Sequence, residues 1–229
     1  GDTIHLSANV STFPCGLNAV PCEGTYSIKT VGTGTFNSTF PYTGLYEDAR
    51  TQILFRASEL QALGMTAGTI TDIALDVFQK SSTLPYSNLT VKMGCTSLNQ
   101  ISSFVPGLSV VLVEPAYTTT TGLNNHNLNT PYDWDGQSNL LVEMCFDNGS
   151  SFFSNSDQVK TSNTGFNSVV YGFADNTSGC NISNPNVSQF RPNVQFVHCA
   201  ATLKTVTYSW TPTNDIYTPD SLNPLVVLN

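Results

Sequence analysis

The dominant period of hydrophobicity along this chain is two. Ile73, Leu75 and Val77 alternate with Asp72, Ala74 and Asp76, and Leu89, Val91 and Met93 with Thr90 and Lys92. Leu140, Val142, Met144 and Phe146 alternate with Leu141, Glu143 and Cys145, and Val206, Tyr208 and Trp210 with Thr207 and Ser209. Successive strand side chains point to opposite faces, so half-buried strands require this alternation. Further strands are predicted over residues 2–10, 26–31, 51–56, 109–113, 168–173, 193–198 and 224–228, with turn-forming residues between them. One short helix is predicted, with Ser58 as its cap, a turn through Glu59–Leu63 and Gly64 ending it. Many short antiparallel strands predict an all-β chain built as one or two β-sandwiches.

Composition narrows the class. The 229 residues carry 8 Lys and Arg against 16 Asp and Glu, a net charge of −8, and only 10% are charged. An average soluble chain is about 25% charged. Ser, Thr and Asn fill the gap, with 24, 29 and 22 copies. So acidic and Lys-poor a chain is a bad partner for a phosphate backbone, which argues against nucleic acid. No apolar run approaches 18 residues, so no helical membrane span is expected. The start at Gly1-Asp2-Thr3 reads as that of a processed product or an excised segment. With 40% hydrophobic residues, the chain has the material for a packed core.

The six cysteines, Cys15, Cys22, Cys95, Cys145, Cys180 and Cys199, form no C-x-x-C pair and have no nearby His to complete a zinc site. Disulfides in an oxidising compartment are therefore expected. Cys15–Cys22 is the pair most easily pictured, closing a Pro/Gly/Asn loop. The other four cysteines allow three connectivities. Seven N-x-S/T triplets begin at Asn9, Asn37, Asn88, Asn148, Asn176, Asn181 and Asn186 and mark stretches expected to tolerate exposure.

Tyr208-Ser-Trp210-Thr-Pro212, followed by Pro219-Asp-Ser-Leu-Asn-Pro224, resembles the middle of a PKD-like or immunoglobulin-like repeat of giant Bacteroidota surface proteins. Gly1-Asp2-Thr3-Ile4-His5-Leu6 resembles the strand that precedes it there. Between them, Glu47-Asp-Ala-Arg50-Thr-Gln52, Ala57-Ser-Glu-Leu60 with Leu63-Gly-Met65-Thr-Ala-Gly68, Val91-Lys-Met-Gly94, Pro131-Tyr-Asp-Trp-Asp-Gly136 and Val142-Glu-Met-Cys-Phe-Asp-Asn148 together are similar to a β-sandwich module of gliding-motility adhesins and other type IX secretion substrates. The resemblance implies an insertion. Residues 1–26 and 197–229 would form a discontinuous immunoglobulin/PKD-like domain, and residues 27–196 an inserted jelly-roll-like sandwich. Trp210 would be the outer domain's core tryptophan. A complete repeat continues for two or three more strands after Asn223-Pro224. Here the chain stops at Asn229, so a longer protein supplies them, a neighbouring subunit does so by β-strand addition, or the sandwich is simply smaller than the family's. The Bacteroidota O-glycosylation pattern places candidate acceptors at Thr3 and Ser221.

The search for chemistry yields little. His5, His126 and His198 lie in unrelated segments without metal spacing, and no H-E-x-x-H, G-x-S-x-G or Walker A motif occurs. Gly32-Thr-Gly34 reads as a turn or bulge rather than a nucleotide loop. No catalytic residue is expected. Asp133-Trp134-Asp135-Gly136 is a candidate Ca²⁺ loop or, more simply, a turn with Trp134 packed on the sandwich edge. Glu47-Asp48-Ala49-Arg50 is another such loop or an Asp–Arg pair. Trp134, with Tyr42, Tyr46, Phe152 and Phe153, is a candidate sugar-stacking aromatic. The expectation is a secreted, non-enzymatic surface module, structural or adhesive, that associates with itself or with neighbouring repeats. The rival is a carbohydrate-binding module of a secreted polysaccharide-degrading protein.

Overall fold

The structure is a computed structural model and describes residues 3–5, 13–18, 22–149, 154–201, 216 and 225–227; for 3–5 and 225–227 it describes the backbone. In chain order the elements are β1 (Thr3–His5), β2 (Gly16–Leu17), β3 (Tyr26–Val31), β4 (Phe36–Ser38), β5 (Asp48–Phe55), α1 (Ala57–Ala62), β6 (Gly68–Gln79), β7 (Tyr86–Thr96) and β8 (Ser109–Tyr117). There follow β9 (Gly122–Trp134), β10 (Asn139–Asp147), β11 (Gln158–Asn163), β12 (Val169–Ala174), a 3₁₀ turn at Gly179–Asn181, β13 (Asn186–Ser188), β14 (Phe190–Pro192), β15 (Val194–Ala200) and β16 (Leu225–Val227).

The chain forms two compact units, Phe13–Ala201 and the pair of segments Gly1–Thr12 with Thr202–Asn229. The larger unit thus starts before, and ends after, the 27–196 block expected from sequence, and takes in Cys15, Cys22 and Cys199. In the smaller unit, β1 and β16 pair antiparallel with Thr3 opposite Val227. The expected strand at 206–210 and Trp210 lie outside the described residues.

The larger unit is a β-sandwich of two antiparallel sheets. One has the order β13-β12-β5-β10-β7-β8; the other follows β14-β11-β6-β15-β3, with β9 on β6, β2 on β9 and β4 on β11. The predicted alternation sets the core between them. Ile53, Phe55, Val91, Met93, Leu140, Val142, Met144 and Phe146 pack from the first sheet against Ile70, Ile73, Leu75, Val77, Val159, Val194 and Phe196 from the second. At roughly 1.5–3 kcal/mol per buried large apolar side chain, this layer is the main favourable term in folding.

β10 is buried on both faces. Its outward Leu141 joins Leu54, Ile101 and Val170 in a second cluster, closed over by Phe104, Val105 and Leu108. Outward Glu143 accepts from Arg50 Nη2 at 2.8 Å, Lys92 Nζ at 2.7 Å and Gln52 Nε2 at 2.6 Å. Gln52 also donates to Val105 O and accepts from Val105 N. This polar knot fastens residues 97–108 across the sheet.

The helix begins two residues earlier than its sequence suggests. Arg56, not Ser58, is the N-cap, and Glu59 accepts from its backbone N–H at 2.9 Å. A hydroxyl at the expected cap therefore sits inside the first turn, and the return bond from Glu59 decides where the helix begins. Gly64, at φ +76°, ends the turn as expected.

Candidate functional surface

All six cysteines of the unit are paired: Cys15–Cys95, Cys22–Cys199 and Cys145–Cys180. The local Cys15–Cys22 pair does not form. β2 holds Cys15 beside the Trp134 end of β9, with Gly16 opposite Asp133. Cys22 instead lies against the end of β15, where Gly24 approaches Ala200 O so closely that a Cβ would collide with it. In the fold, strand pairing holds Cys15 at β9 and Cys22 at the end of β15, so their proximity in sequence does not join them. The Cys22–Cys199 bridge closes a 177-residue separation, which in the chain-entropy picture restricts the unfolded state by about 5 kcal/mol.

Trp134 is fully buried and donates its indole N–H to Ser138 O at 2.7 Å. Neither ring face is open, so it is not a glycan contact. It packs the sandwich, as the simpler reading of its turn expects. Asp135 accepts from Gln137 N, Ser138 N and Ser138 Oγ at 2.6–2.8 Å. Burial pushes its carboxyl up, but those donors outweigh burial and hold it below the usual range. Asp133 accepts from Asn18 Nδ2 and Thr69 Oγ1. The carboxylates of this loop thus cap a turn and tie strands. Among the described residues, the grouping with three potential metal-ligand atoms within 4.8 Å is Cys15, Cys95 and Asp135. The cysteines there are a disulfide and offer no thiolate.

Tyr42 is buried and Tyr46 stacks on Phe173 with centroids 4.1 Å apart; Phe152 and Phe153 lie outside the described residues. So do Ser221 and the side chains of Thr3 and His5. Of the N-x-S/T asparagines, Asn148 is buried and accepts from Ser87 N, whereas Asn37, Asn88, Asn176, Asn181 and Asn186 are exposed.

His126 is fully buried, with Nε2 2.7 Å from Tyr42 Oη and Nδ1 3.4 Å from Glu114. The order hydroxyl–imidazole–carboxylate imitates a nucleophile relay. The hydroxyl and the imidazole are both sealed in the core, with no room for a substrate atom beside them. Buried His198 lies 2.9 Å from Thr66 O through Nε2. Burial depresses its pKa.

In the Glu47–Arg50 segment, Arg50 pairs with Glu143 and not with Asp48. Asp48 is buried opposite Asp147 across the β5–β10 ladder. One of its oxygens accepts from Thr177 N at 3.2 Å, and Oδ1 has no hydrogen-bond donor. Burial first, and then the Asp147 carboxylate beside it, raise its pKa to about 6.

One cleft of the unit, of about 310 Å³, lies on the outer face of the second sheet. Outward strand positions line it: Thr30, Asp76, Leu123, Lys160 and Gln195, with Asn193 beside them. Lys160 Nζ contacts Asp76 at 2.6 Å. The Gly32-Thr-Gly34 turn forms its rim. Gly32, at φ +89°, and Gly34 press on Asn193 and on residues 161–162 too closely for any Cβ. Asn193 Nδ2 donates to Gly34 O, and Gly34 N donates to Ser162 Oγ. These lining residues escape sequence reasoning because they come from five separated strands, each contributing one unremarkable outward side chain.

No protein-family model, curated protein or solved structure matches this chain.

Proposed function

We propose that this chain is a secreted, non-enzymatic surface module with a structural or adhesive role. The observation that carries the reading is the use of all six cysteines in three long-range bridges across one sandwich. Such bridges form and persist in oxidising compartments. The low-charge exterior rich in Ser, Thr and Asn suits contact with water and glycans rather than with nucleic acid. The sequence resemblance to repeats of Bacteroidota type IX-secreted proteins supports the same setting, with Thr3 and Ser221 as candidate O-glycan acceptors. Self-association fits the smaller unit. Its described strands, β1 and β16, make a two-stranded sheet, and such a sheet is marginal alone in water. Added strands from a neighbouring copy would complete it.

The test is antibody labelling of intact cells of the source organism, together with mass mapping of the unreduced protein. Surface label and the three bridges are expected; reduced cysteines in an intracellular pool would overturn the reading. Negative-stain imaging of the recombinant chain checks self-association, which predicts ordered filaments that disappear when residues 224–229 are removed.

The outer-face cleft favours a second reading as a carbohydrate-binding module. Asp76, Lys160, Asn193 and Gln195 offer hydroxyl-matching donors and acceptors around Leu123, which is 49% exposed. Glycan-array binding that Gln195→Ala abolishes would favour it over adhesion through strand addition.

A further inference from the structure

Two features of the larger unit, its topology and one bridge, bear on tension. After β2 on β9 and Cys22, the chain runs along β3, and it leaves the unit along β15; these two strands are antiparallel neighbours in register from Cys199 opposite Tyr26 to Val194 opposite Val31. Residue 26, where β3 begins, and residue 200, where β15 ends, thus lie at the same end of the ladder. A pull on the two connections would part β3 from β15 at that end and break the ladder one rung at a time. This is the weakest way to load a sheet, because each hydrogen bond resists alone. Cys22–Cys199 crosses the pair at that very end. Cys199 is the partner of Tyr26, and Gly24 lies against Ala200 O.

We infer that Cys22–Cys199 is a force clamp: tension along the chain passes from residue 22 to residue 199 through the disulfide and bypasses everything from β3 to β15, so that within the larger unit the load falls on residues 13–22, with β2, and on the last residues after Cys199. This inference rests on the structural reading above and adds how load is routed within it. The smaller unit contains no cysteine, and its β1–β16 pair is loaded from the same unfavourable end, with Thr3 opposite Val227. It is therefore the element that yields first. When it opens, extension stops at the clamp, and the sandwich stays folded and able to hold whatever it is bound to. Cys145–Cys180 lies wholly inside the bypassed loop and takes no load while the clamp is closed. Cys15–Cys95 joins the loaded segment to that loop, but the route through it to Cys199 is longer than the one through residues 15–22, so it does not set the limit of extension.

The test is single-molecule stretching of the whole chain from handles at residues 1 and 229. With the clamp closed, roughly 50 links of chain are free, and the expected full extension is about 180 Å at ~3.5 Å per residue. In the double variant Cys22→Ser/Cys199→Ser, with the other two bridges intact, it becomes about 400 Å. Fully reduced chain reaches about 800 Å. Cys15→Ser/Cys95→Ser is expected to stop at the wild-type length, since its bridge does not set the limit of extension. The sandwich of the Cys22/Cys199 variant is also expected to unfold under load after the smaller unit opens, an event that the oxidised wild type does not show. If that variant does not fold, reductant added to oxidised wild type held under load gives the same comparison, as a jump beyond 180 Å. An oxidised wild type that extends past about 180 Å, or a sandwich that does not unfold under load without Cys22–Cys199, would overturn the clamp. Either result is independent of where the protein resides, so failure of the clamp and failure of the surface assignment are read separately.

Discussion

Replacing Asp48 by Asn changes one atom type in the sandwich and removes one titration. In the fold this carboxyl sits against Asp147, with Oδ1 lacking a donor, and its pKa is raised from 3.8 to about 6. The native state therefore holds the Asp48 proton more tightly than the unfolded chain does. Its contribution to stability is fully present below pH 3.8 and is lost as pH rises to about 6. At about 1.4 kcal/mol per pKa unit, ionising Asp48 costs the fold up to about 3 kcal/mol above pH 6. Asn keeps an oxygen for Thr177 N and gains an N–H that can donate to Asp147. Asp48→Asn is thus expected to be more stable than wild type at pH 7.5 by about 1–3 kcal/mol, or about 0.5 M in guanidinium midpoint. The advantage should vanish at pH 4. The assay is oxidised equilibrium unfolding of both proteins from pH 4 to 8, because the difference curve cancels every other titrating group. A flat difference, or an Asn variant destabilised at pH 7.5, would refute the account of Asp48 as a buried, unrelieved carboxylate.

Other substitutions test other parts of the structure. Glu143→Ala leaves Arg50 and Lys92 facing each other beneath residues 97–108 and should cost about 3–5 kcal/mol, with Glu143→Gln milder, both read by denaturant melts. Trp134→Ala should cost about 3–5 kcal/mol as a core cavity. Any glycan binding by the fraction that stays folded should be unchanged; selective loss of binding without loss of stability would contradict its burial. Gly34→Ala forces a Cβ onto Thr161 O and Ser162, and should lower the melting temperature and impair any ligand of the cleft together. His198, buried with a depressed pKa, takes its proton more readily unfolded than folded, so its contribution is lost as pH falls below about 6.5. His198→Gln should flatten that part of the pH–stability curve.

Period-two patterning placed the long strands well because β6, β7 and β10 each bury one regular set of side chains in the inner layer. It missed β9, whose sequence Gly122-Leu-Asn-Asn-His-Asn-Leu-Asn is poor in strand formers and inverted in polarity. There Leu123 faces out, while Asn124 and His126 face in. Asn124 bonds the turn at Thr120, and His126 meets Tyr42, so polar partners and not apolar contacts hold that strand. The disulfide map was illegible for a related reason: sequence shows how near two cysteines are along the chain, but strand pairing decides which ones meet. Trp134 looked like a loop aromatic because the turn after it is polar, yet β9 carries it into the core before that turn begins. Nothing in the separate strands marked the cleft, because a shared outer face exists only once they are paired.

The pairing of β3 with β15 also sets a timetable. β3 is among the first strands of the sandwich to leave the ribosome, and β15 is the last. Cys22 has no partner until Cys199 has been made. The sheet that contains both strands cannot close on a nascent chain, so the polypeptide reaches full length of this unit still open. An open chain is the form that a narrow export channel can pass. Were the chain secreted as proposed, sealing would follow on the far side of the membrane, where oxidants are available. Cys145–Cys180, the shortest of the three separations, is the bridge expected to close first, and Cys22–Cys199 the last.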